Sequence, residues 1–210
     1  MPTLIEQFQG ALRASAGEFG IQLSEDDIRR LSNYYELLLK WNDRLHLIAP
    51  CPPGEFATRH ILESLTLLQF LPRHASIADV GSGAGLPIIP NLIVRNDLHA
   101  KIIEASAKKG VFLREALRAT DTSGQAEVIA ERFENLPTPD TAYVTCRALD
   151  RLNRVFPKLV RWSPANSTLL LFGGGALYEQ LQNAGLKFSS VTMPRSERRF
   201  LFAIIPEPES

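Results

Sequence analysis

Ser76-Ile-Ala-Asp-Val-Gly-Ser-Gly-Ala-Gly-Leu-Pro87 is a short apolar run that ends in an acid and three closely spaced glycines. Ile77, Ala78 and Val80 suit a strand covered on both faces, while Gly81, Gly83 and Gly85 let the backbone approach a ligand without Cβ clashes. The stretch therefore reads as a buried strand breaking into a cofactor loop, with Asp79 at the carboxyl end of the strand. A dinucleotide fingerprint is Gly-x-Gly-x-x-Gly, with a helix N-terminus aimed at a pyrophosphate. Here the spacing is Gly-x-Gly-x-Gly, with an acid two residues ahead of it. An acid in that place suits a cationic ligand better than an anionic one.

S-adenosylmethionine is such a ligand, since it has no phosphate and carries an ammonium and a sulfonium. A second run, Ala100-Lys-Ile-Ile-Glu104, again ends in an acid, about the ~20 residues further on that a ribose-binding carboxylate requires. Glu104 is accordingly the candidate ligand for the ribose hydroxyls. Two carboxylates at the ends of adjacent parallel strands, flanking a glycine loop, are harder to obtain by chance than either alone.

The chain has 210 residues, 45% hydrophobic and 22% charged, enough for one α/β domain with an appendage. Residues 1–72 read as a helical cap and 73–210 as the main domain of one compact unit, expected to be a monomer. No run approaches the ~20 apolar residues that span a bilayer, and the start lacks the pattern of a secretory signal, so a cytoplasmic protein is expected. Cys51 and Cys146 stand alone, without metal-ligand spacing, and no metal site is expected. The formal net charge is zero, but between Thr141 and Phe200 nine bases face three acids. That surplus meets phosphate if it lies on one face, and is otherwise the charge of solvated helices.

Along the chain, Thr3 with Glu6 forms a capping box for a first helix, which Gly17 and Gly20 end. Ser24, followed by Glu25, Asp26 and Asp27, caps a longer helix whose apolar face is Ile28, Leu31, Tyr35, Leu38, Asn42 and Leu45. Asn42 is the odd member, since a buried amide needs partners for its donors and its acceptor. Pro50, Pro52, Pro53 and Gly54 read as a break, followed by a third helix from Arg59 to Leu71 with His60 at its start. After Glu104 an amphipathic helix is expected from Lys108 to Arg118, with Val111, Leu113 and Leu117 inward. Strands are expected at Glu127–Glu131 and Ala142–Arg147, then a helix from Asp150 to Trp162, a fifth strand at Ser167–Phe172 and a helix over Ala176–Ala184. By the switch-point rule, ligands bind outside the carboxyl ends of such strands, which sends Glu134 and Arg147 to the crevice of Gly81 and Glu104. Ser189–Met193 and Arg199–Ile205 are two β-rich runs joined by too few residues for a crossover helix, so they form an antiparallel pair at one edge. A mainly parallel sheet closed by an antiparallel hairpin resembles the class I (Rossmann-like) S-adenosylmethionine-dependent methyltransferase architecture.

With those residues in hand, the chain resembles the RsmG (GidB) family of bacterial small-subunit ribosomal RNA methyltransferases, which act on N7 of a guanine. The resemblance runs from about Tyr34 to Ala203. It rests on Leu39-Lys-Trp-Asn42, Arg59-His-Ile-Leu-Glu-Ser-Leu65, Asp79 to Pro87, Glu104 with Lys108-Lys109, Phe112-Leu113 and Arg147-Ala148. It implies S-adenosylmethionine as cofactor and 16S ribosomal RNA, or the small subunit, as partner. It further implies that Gly81 and Leu86 contact the cofactor, that Phe133-Glu134 lies along the adenine, and that Arg147 helps line the site. Two departures stand out: His46-Leu-Ile48 where the family usually has Asn-Leu-Thr, and Phe172-Gly173 where it usually has Lys-Gly. Glu63 replaces a common Asp and keeps the charge.

Guanine N7 has an in-plane lone pair and no proton, so it can attack a sulfonium methyl in line without a general base; alignment is what the protein must supply. The target base must be exposed or splayed out, stacking on an aromatic ring or a guanidinium. Arg147 is the first candidate for positioning it, with His60 and Asn42 behind. A nicotinamide-dependent oxidoreductase is the competing enzyme class, but it calls for a third glycine one residue later and a residue other than Asp79 before the loop. A non-catalytic RNA-binding protein that keeps the methyltransferase fold is the third reading.

Overall fold

The apolar strand runs of this chain have no polar face, so each must be covered from both sides. In the computed structural model, which describes residues 1–147 and 152–205, the central strands lie so, while the two edge runs, Ala126–Ile129 and Phe188–Thr192, keep exposed residues. The strands are β1 (Ser76–Val80), β2 (His99–Ile103), β3 (Ala126–Ile129), β4 (Tyr143–Arg147), β5 (Thr168–Gly173), β6 (Phe188–Thr192) and β7 (Phe200–Ile204). They form one sheet in the order β3-β2-β1-β4-β5-β7-β6. β1 to β5 run parallel, and β7 is antiparallel to both β5 and β6. The expected terminal hairpin is thus present, with β7 inserted beside β5 and β6 at the edge.

Alternation along each strand divides the core in two. Ile77, Ile102, Leu170 and Leu201 enter one cluster, while Val80, Ile103, Leu171 and Phe202 enter the other. The chain steps from β1 outward to β2 and β3, then returns to β4 on the far side of β1. That reversal opens a crevice at the carboxyl ends of β1 and β4.

On the first face lie α1 (Leu4–Ser15), α2 (Glu25–Leu45), α5 (Ile88–Val94) and α6 (Ala107–Ala119). Thr3 and Glu6 make the expected reciprocal cap of α1. The chain continues past Gly17 as a 3-10 turn, Ala16–Phe19, and stops at Gly20 in the left-handed conformation. Ser24 and Asp27 cap α2 in the same way. Arg30 of α2 donates to the carbonyls of Ile93 and Thr120, at the ends of α5 and α6, which would otherwise lack partners. Residues of α1 and α2, including Phe8, Leu12 and Leu31, share one continuous apolar cluster with the sheet. The second face carries α7 (Leu152–Trp162) and α8 (Gly175–Asn183). The start of α7 expected at Asp150 lies outside the described residues.

Two expectations need correction. The prolines before the third helix do not keep the chain non-helical up to Arg59: the helical path opens at Pro53. It runs as α3 (Pro53–Glu55), a π-helical segment Phe56–Leu62, α4 (Glu63–Leu65) and a 3-10 turn Thr66–Gln69. Pro53 occupies the first helical position, where a missing N–H is no loss and the fixed φ is already helical. His60 therefore lies within the π-helical segment rather than at a helix start. In α6, Val111 is 52% exposed, while Phe112, Leu113, Ala116 and Leu117 are buried. The inward stripe at three- and four-residue spacing passes through Phe112, which turns its neighbour Val111 outward. Among the described residues no helix is long and apolar enough to cross a membrane.

Candidate functional site

β1 ends at Val80 and the chain turns at once. Gly81 N–H donates to Ile103 O at 2.9 Å, and Gly85 N–H to Ser82 O at 2.8 Å. The loop is fastened from three sides. Tyr34 of α2, fully buried, donates its hydroxyl to Ala84 O at 2.6 Å. Glu104, one residue beyond β2, accepts from Gly83 N–H and from Ser106 N–H, both at 2.9 Å. Gly85 packs inward at φ +87°, where an added Cβ would lie 2.4 Å from Ile89 Cδ1. Gly83 differs: at φ +56° the space a Cβ would take holds only Gly81 O, at 3.8 Å. That open face is where a ligand can meet backbone.

Asp79 lies one hydrogen bond behind the loop. Its Oδ2 accepts from the Ser82 hydroxyl, and its buried Oδ1 has no partner. Burial pushes the Asp79 carboxyl up to about 8; the Ser82 hydrogen bond works against this, and the Glu104 charge adds to it. A buried carboxyl with an unused oxygen, behind a loop that has open space where a side chain of residue 83 would stand, fits a ligand that brings a cationic hydrogen-bond donor.

Gly81, Ser82, Gly83, Ala84, Leu86 and Glu104 line a cavity of about 360 Å³ together with His46, Leu47, Ile48, His60, Lys109 and Arg147. Asn42 acts on this cavity at one remove. Its amide donates to Ile48 O at 3.2 Å, and its Oδ1 accepts from Ile48 N–H at 3.0 Å. Both halves of the amide are thereby used in holding the segment after α2, which reverses at His46 with φ +47°.

Arg147, the last residue of β4, is nearly enclosed. It donates to Arg59 O at 2.6 Å, His60 O at 3.3 Å and Ser64 Oγ at 2.8 Å, and meets Glu63 Oε2 at 3.3 Å. Its guanidinium lies 5.3 Å from the Phe172 ring centroid. Arg199 reaches the other oxygen of Glu63 at 2.8 Å. Glu63, its side chain 3% exposed, thus sits between Arg147 of β4 and Arg199, the residue before β7. Burial raises the Glu63 carboxyl pKa, and the charges of Arg147 and Arg199 hold the rise in check. Burial likewise pulls Arg147 down to about 10. His60 falls to about 4, through burial first and then the charges of Arg147 and Arg59. The imidazole is therefore neutral at physiological pH. His60 and Arg147 also line a second cavity of about 310 Å³, completed by Arg59, Glu63, Phe172, Gly173, Gly174, Met193, Arg199 and Phe200.

The structure therefore brings Gly81, Gly83, Leu86, Glu104, His60 and Arg147 together, with Asp79 behind Ser82 and Gly85 packed beneath the loop. It does not bring Phe133 and Glu134 to the same wall. Phe133 is buried edge-on against Trp162 at 5.4 Å, and Glu134 faces Lys158 of α7 at 3.6 Å. The switch-point rule locates a loop, but not which of its side chains turns back to the core. Tyr34, Ser82 and Lys109 went unassigned. Tyr34 sits among aromatics at helical spacing, where nothing separates a core ring from one whose hydroxyl braces a loop 50 residues away. Among the described residues no group of three acids, histidines or cysteines is placed to hold a metal ion.

Residues 27–196 match the model of the GidB family, described as rRNA small subunit methyltransferase G. The chain is 39% identical over 127 residues to ribosomal RNA small subunit methyltransferase G of Pelotomaculum thermopropionicum, and 43% identical over 124 residues to that of Xanthomonas axonopodis pv. citri. These matches cover 60% and 58% of this chain, and the chain spans only 53% and 57% of the length of those relatives. The match to the protein of the same name from Anaeromyxobacter dehalogenans is longer: 34% identity over 185 residues, covering 86% of this chain and 83% of that one. Among solved structures, an S-adenosylmethionine-dependent methyltransferase from Aquifex aeolicus superposes with a TM-score of 0.57 at 15% identity, covering 82% of this chain and 98% of that one. The M. jannaschii TYW2 structure in complex with AdoMet gives 0.54 at 11% identity, over 69% of this chain and 74% of that one. At such identities the likeness is one of fold, and the fold is the class I methyltransferase fold.

Proposed function

Because the chain belongs to the GidB family, rRNA small subunit methyltransferase G, we propose that it methylates N7 of a guanine in small-subunit (16S) ribosomal RNA, using S-adenosylmethionine. The observation that carries this reading is the pairing of the Gly81–Gly85 loop with Glu104 in a cavity that shares two wall residues, His60 and Arg147, with a second, arginine-rich cavity. One cavity suits the cofactor and its neighbour the acceptor.

In this reading Glu104 receives the ribose hydroxyls, the open face that Gly81 and Gly83 leave where a side chain would stand receives the amino-acid end, and Asp79 accepts the ammonium. Leu86 supplies an apolar wall. The bound cofactor supplies an electrophilic methyl on a sulfonium. The protein contributes placement: N7 needs no deprotonation, so no side chain has to act as a base. His60, neutral at physiological pH, adds no repelling charge where the two cavities meet. Asn42 keeps Ile48 against the cavity, and Arg147 fixes the wall between the two ligands.

The reading is tested by methyl transfer from radiolabelled S-adenosylmethionine to small-subunit RNA and to subunits from cells that lack the protein, with the modified base mapped. Label at N7 of one guanine is the expected result. Cofactor binding without transfer to either substrate would sink the ribosomal assignment.

Asp79 makes a separate prediction. Its folded pKa, about 8, lies above the ordinary 3.8, so in the free protein its stabilising contribution is complete below about 4 and is lost as pH rises through about 8. A cation binds the ionised form, so cofactor affinity should rise with pH up to about 8, approaching tenfold per unit, and then level off. Calorimetric titration in buffers of different ionisation enthalpy should show proton release near pH 7. Asp79→Asn should abolish both the release and the pH slope; a slope that survived would clear Asp79 of the role.

A further inference from the structure

The second cavity carries an unusual charge balance for a place where a cation is made. Its walls hold three guanidiniums, Arg59, Arg147 and Arg199, and among the described residues a single carboxylate, Glu63. Arg59 is offset from outside the cavity by Glu55 at 3.0 Å. Arg147 and Arg199 share Glu63 between them, which leaves this cluster with one positive charge in excess. Such a cluster tolerates a neutral purine and opposes a cationic one.

On the reading above, the acceptor changes in just this respect. The N7 lone pair forms the new N–C bond, the C–S bond breaks with its electron pair going to sulfur, and the positive charge ends on the purine ring without any proton moving. We propose that the second cavity takes the acceptor base and that its excess guanidinium charge discharges the methylated product. An aromatic face can hold a cation in place, but of the two rings in this wall Phe172 already has the Arg147 guanidinium 5.3 Å from its centroid, which leaves Phe200 alone to set against the three guanidiniums. The same field resists charge arriving on the base during transfer, so the arrangement favours release at some expense to the chemical step.

The proposal rests on a guanine N7 acceptor, and its test is separable from that of the ribosomal assignment. Guanosine 5′-monophosphate and 7-methylguanosine 5′-monophosphate are titrated against the full chain in the presence of S-adenosylhomocysteine, with binding followed by ligand-observed NMR. The wild type should prefer the unmethylated nucleotide by about tenfold. Arg199→Gln, at a side chain 39% exposed, should bring the ratio towards one, because Glu63 then balances Arg147. Arg199→Lys should restore the preference. Equal binding of the two nucleotides by the wild type, preference for the methylated one, or binding of neither would overturn the proposal. So would equal weakening of both by Arg199→Gln, the signature of a mere phosphate contact. Failure of transfer to ribosomal RNA with the tenfold ratio intact would remove the ribosomal assignment and leave the proposal standing.

Discussion

Arg147→Ala is expected to lower folding stability by about 3–5 kcal/mol in urea denaturation, because it breaks a buried ion pair and leaves its partners exposed to one another. The side chain is 13% exposed and ties the end of β4 to one short stretch that lies 83 to 88 residues earlier. It holds the Arg59 and His60 carbonyls of the π-helical segment, the Ser64 hydroxyl, and one oxygen of Glu63. Without it, Glu63 keeps only Arg199. Cofactor affinity and methyl transfer should fall together, since Arg147 lines both cavities. Arg147→Lys should recover only part of the loss: an ammonium keeps the charge but cannot present a planar fork to several acceptors. If the alanine variant bound cofactor and transferred methyl groups as the wild type does, Arg147 would have no place in the site.

Gly83→Asp should give the opposite combination: a folded protein that has lost its cofactor. At φ +56° the position is in the left-handed region, which Asp enters more easily than most residues, at about 1 kcal/mol. The new side chain has room, because nothing but Gly81 O stands within 4 Å of its Cβ. It would fill the face that the ligand needs and set a second carboxylate beside Glu104. Together these should weaken cofactor binding by more than about a hundredfold in calorimetry, from steric filling and like charge. Gly85→Ala is the control for a folding lesion. There the Cβ collides with the side chain of Ile89 at φ +87°, so the thermal midpoint rather than the affinity should report the damage. A Gly83→Asp protein with wild-type cofactor affinity would take the glycine loop out of the binding site.

The features that could be read from residues alone were those whose cause is local. A glycine loop after an apolar run, an acid at the end of the next strand and two β-rich runs too close for a crossover each carry their own geometry. The class I methyltransferase fold, with its closing hairpin, follows from them. What could not be read depends on partners far away in the chain. The Arg147–Glu63 and Arg199–Glu63 pairs span 84 and 136 residues, and no spacing rule links them. Phe172 looked like a lost lysine, yet in the structure its ring lies against Arg147. The proline cluster misled because the effect of Pro depends on position: Pro53 opens a helix that an interior proline would break. Val111 and Phe112 are adjacent apolar residues, and periodicity within half a turn does not decide which faces inward. Asn42 was recognisable as an amide needing partners, but the partner, Ile48, lies beyond a reversal at His46 that the sequence does not announce.

The hydroxyl of Tyr34 on Ala84 O and the hooks of Arg30 at the ends of α5 and α6 make α2 and the glycine loop parts of one opening unit. Loops that bind ligands are commonly drawn from the least protected parts of a protein. Here opening the loop also means parting Ala84 O from Tyr34, so the hydrogen-exchange protection of Gly83 and Gly85 should fall when the anchorage of α2 is weakened, as in Tyr34→Phe.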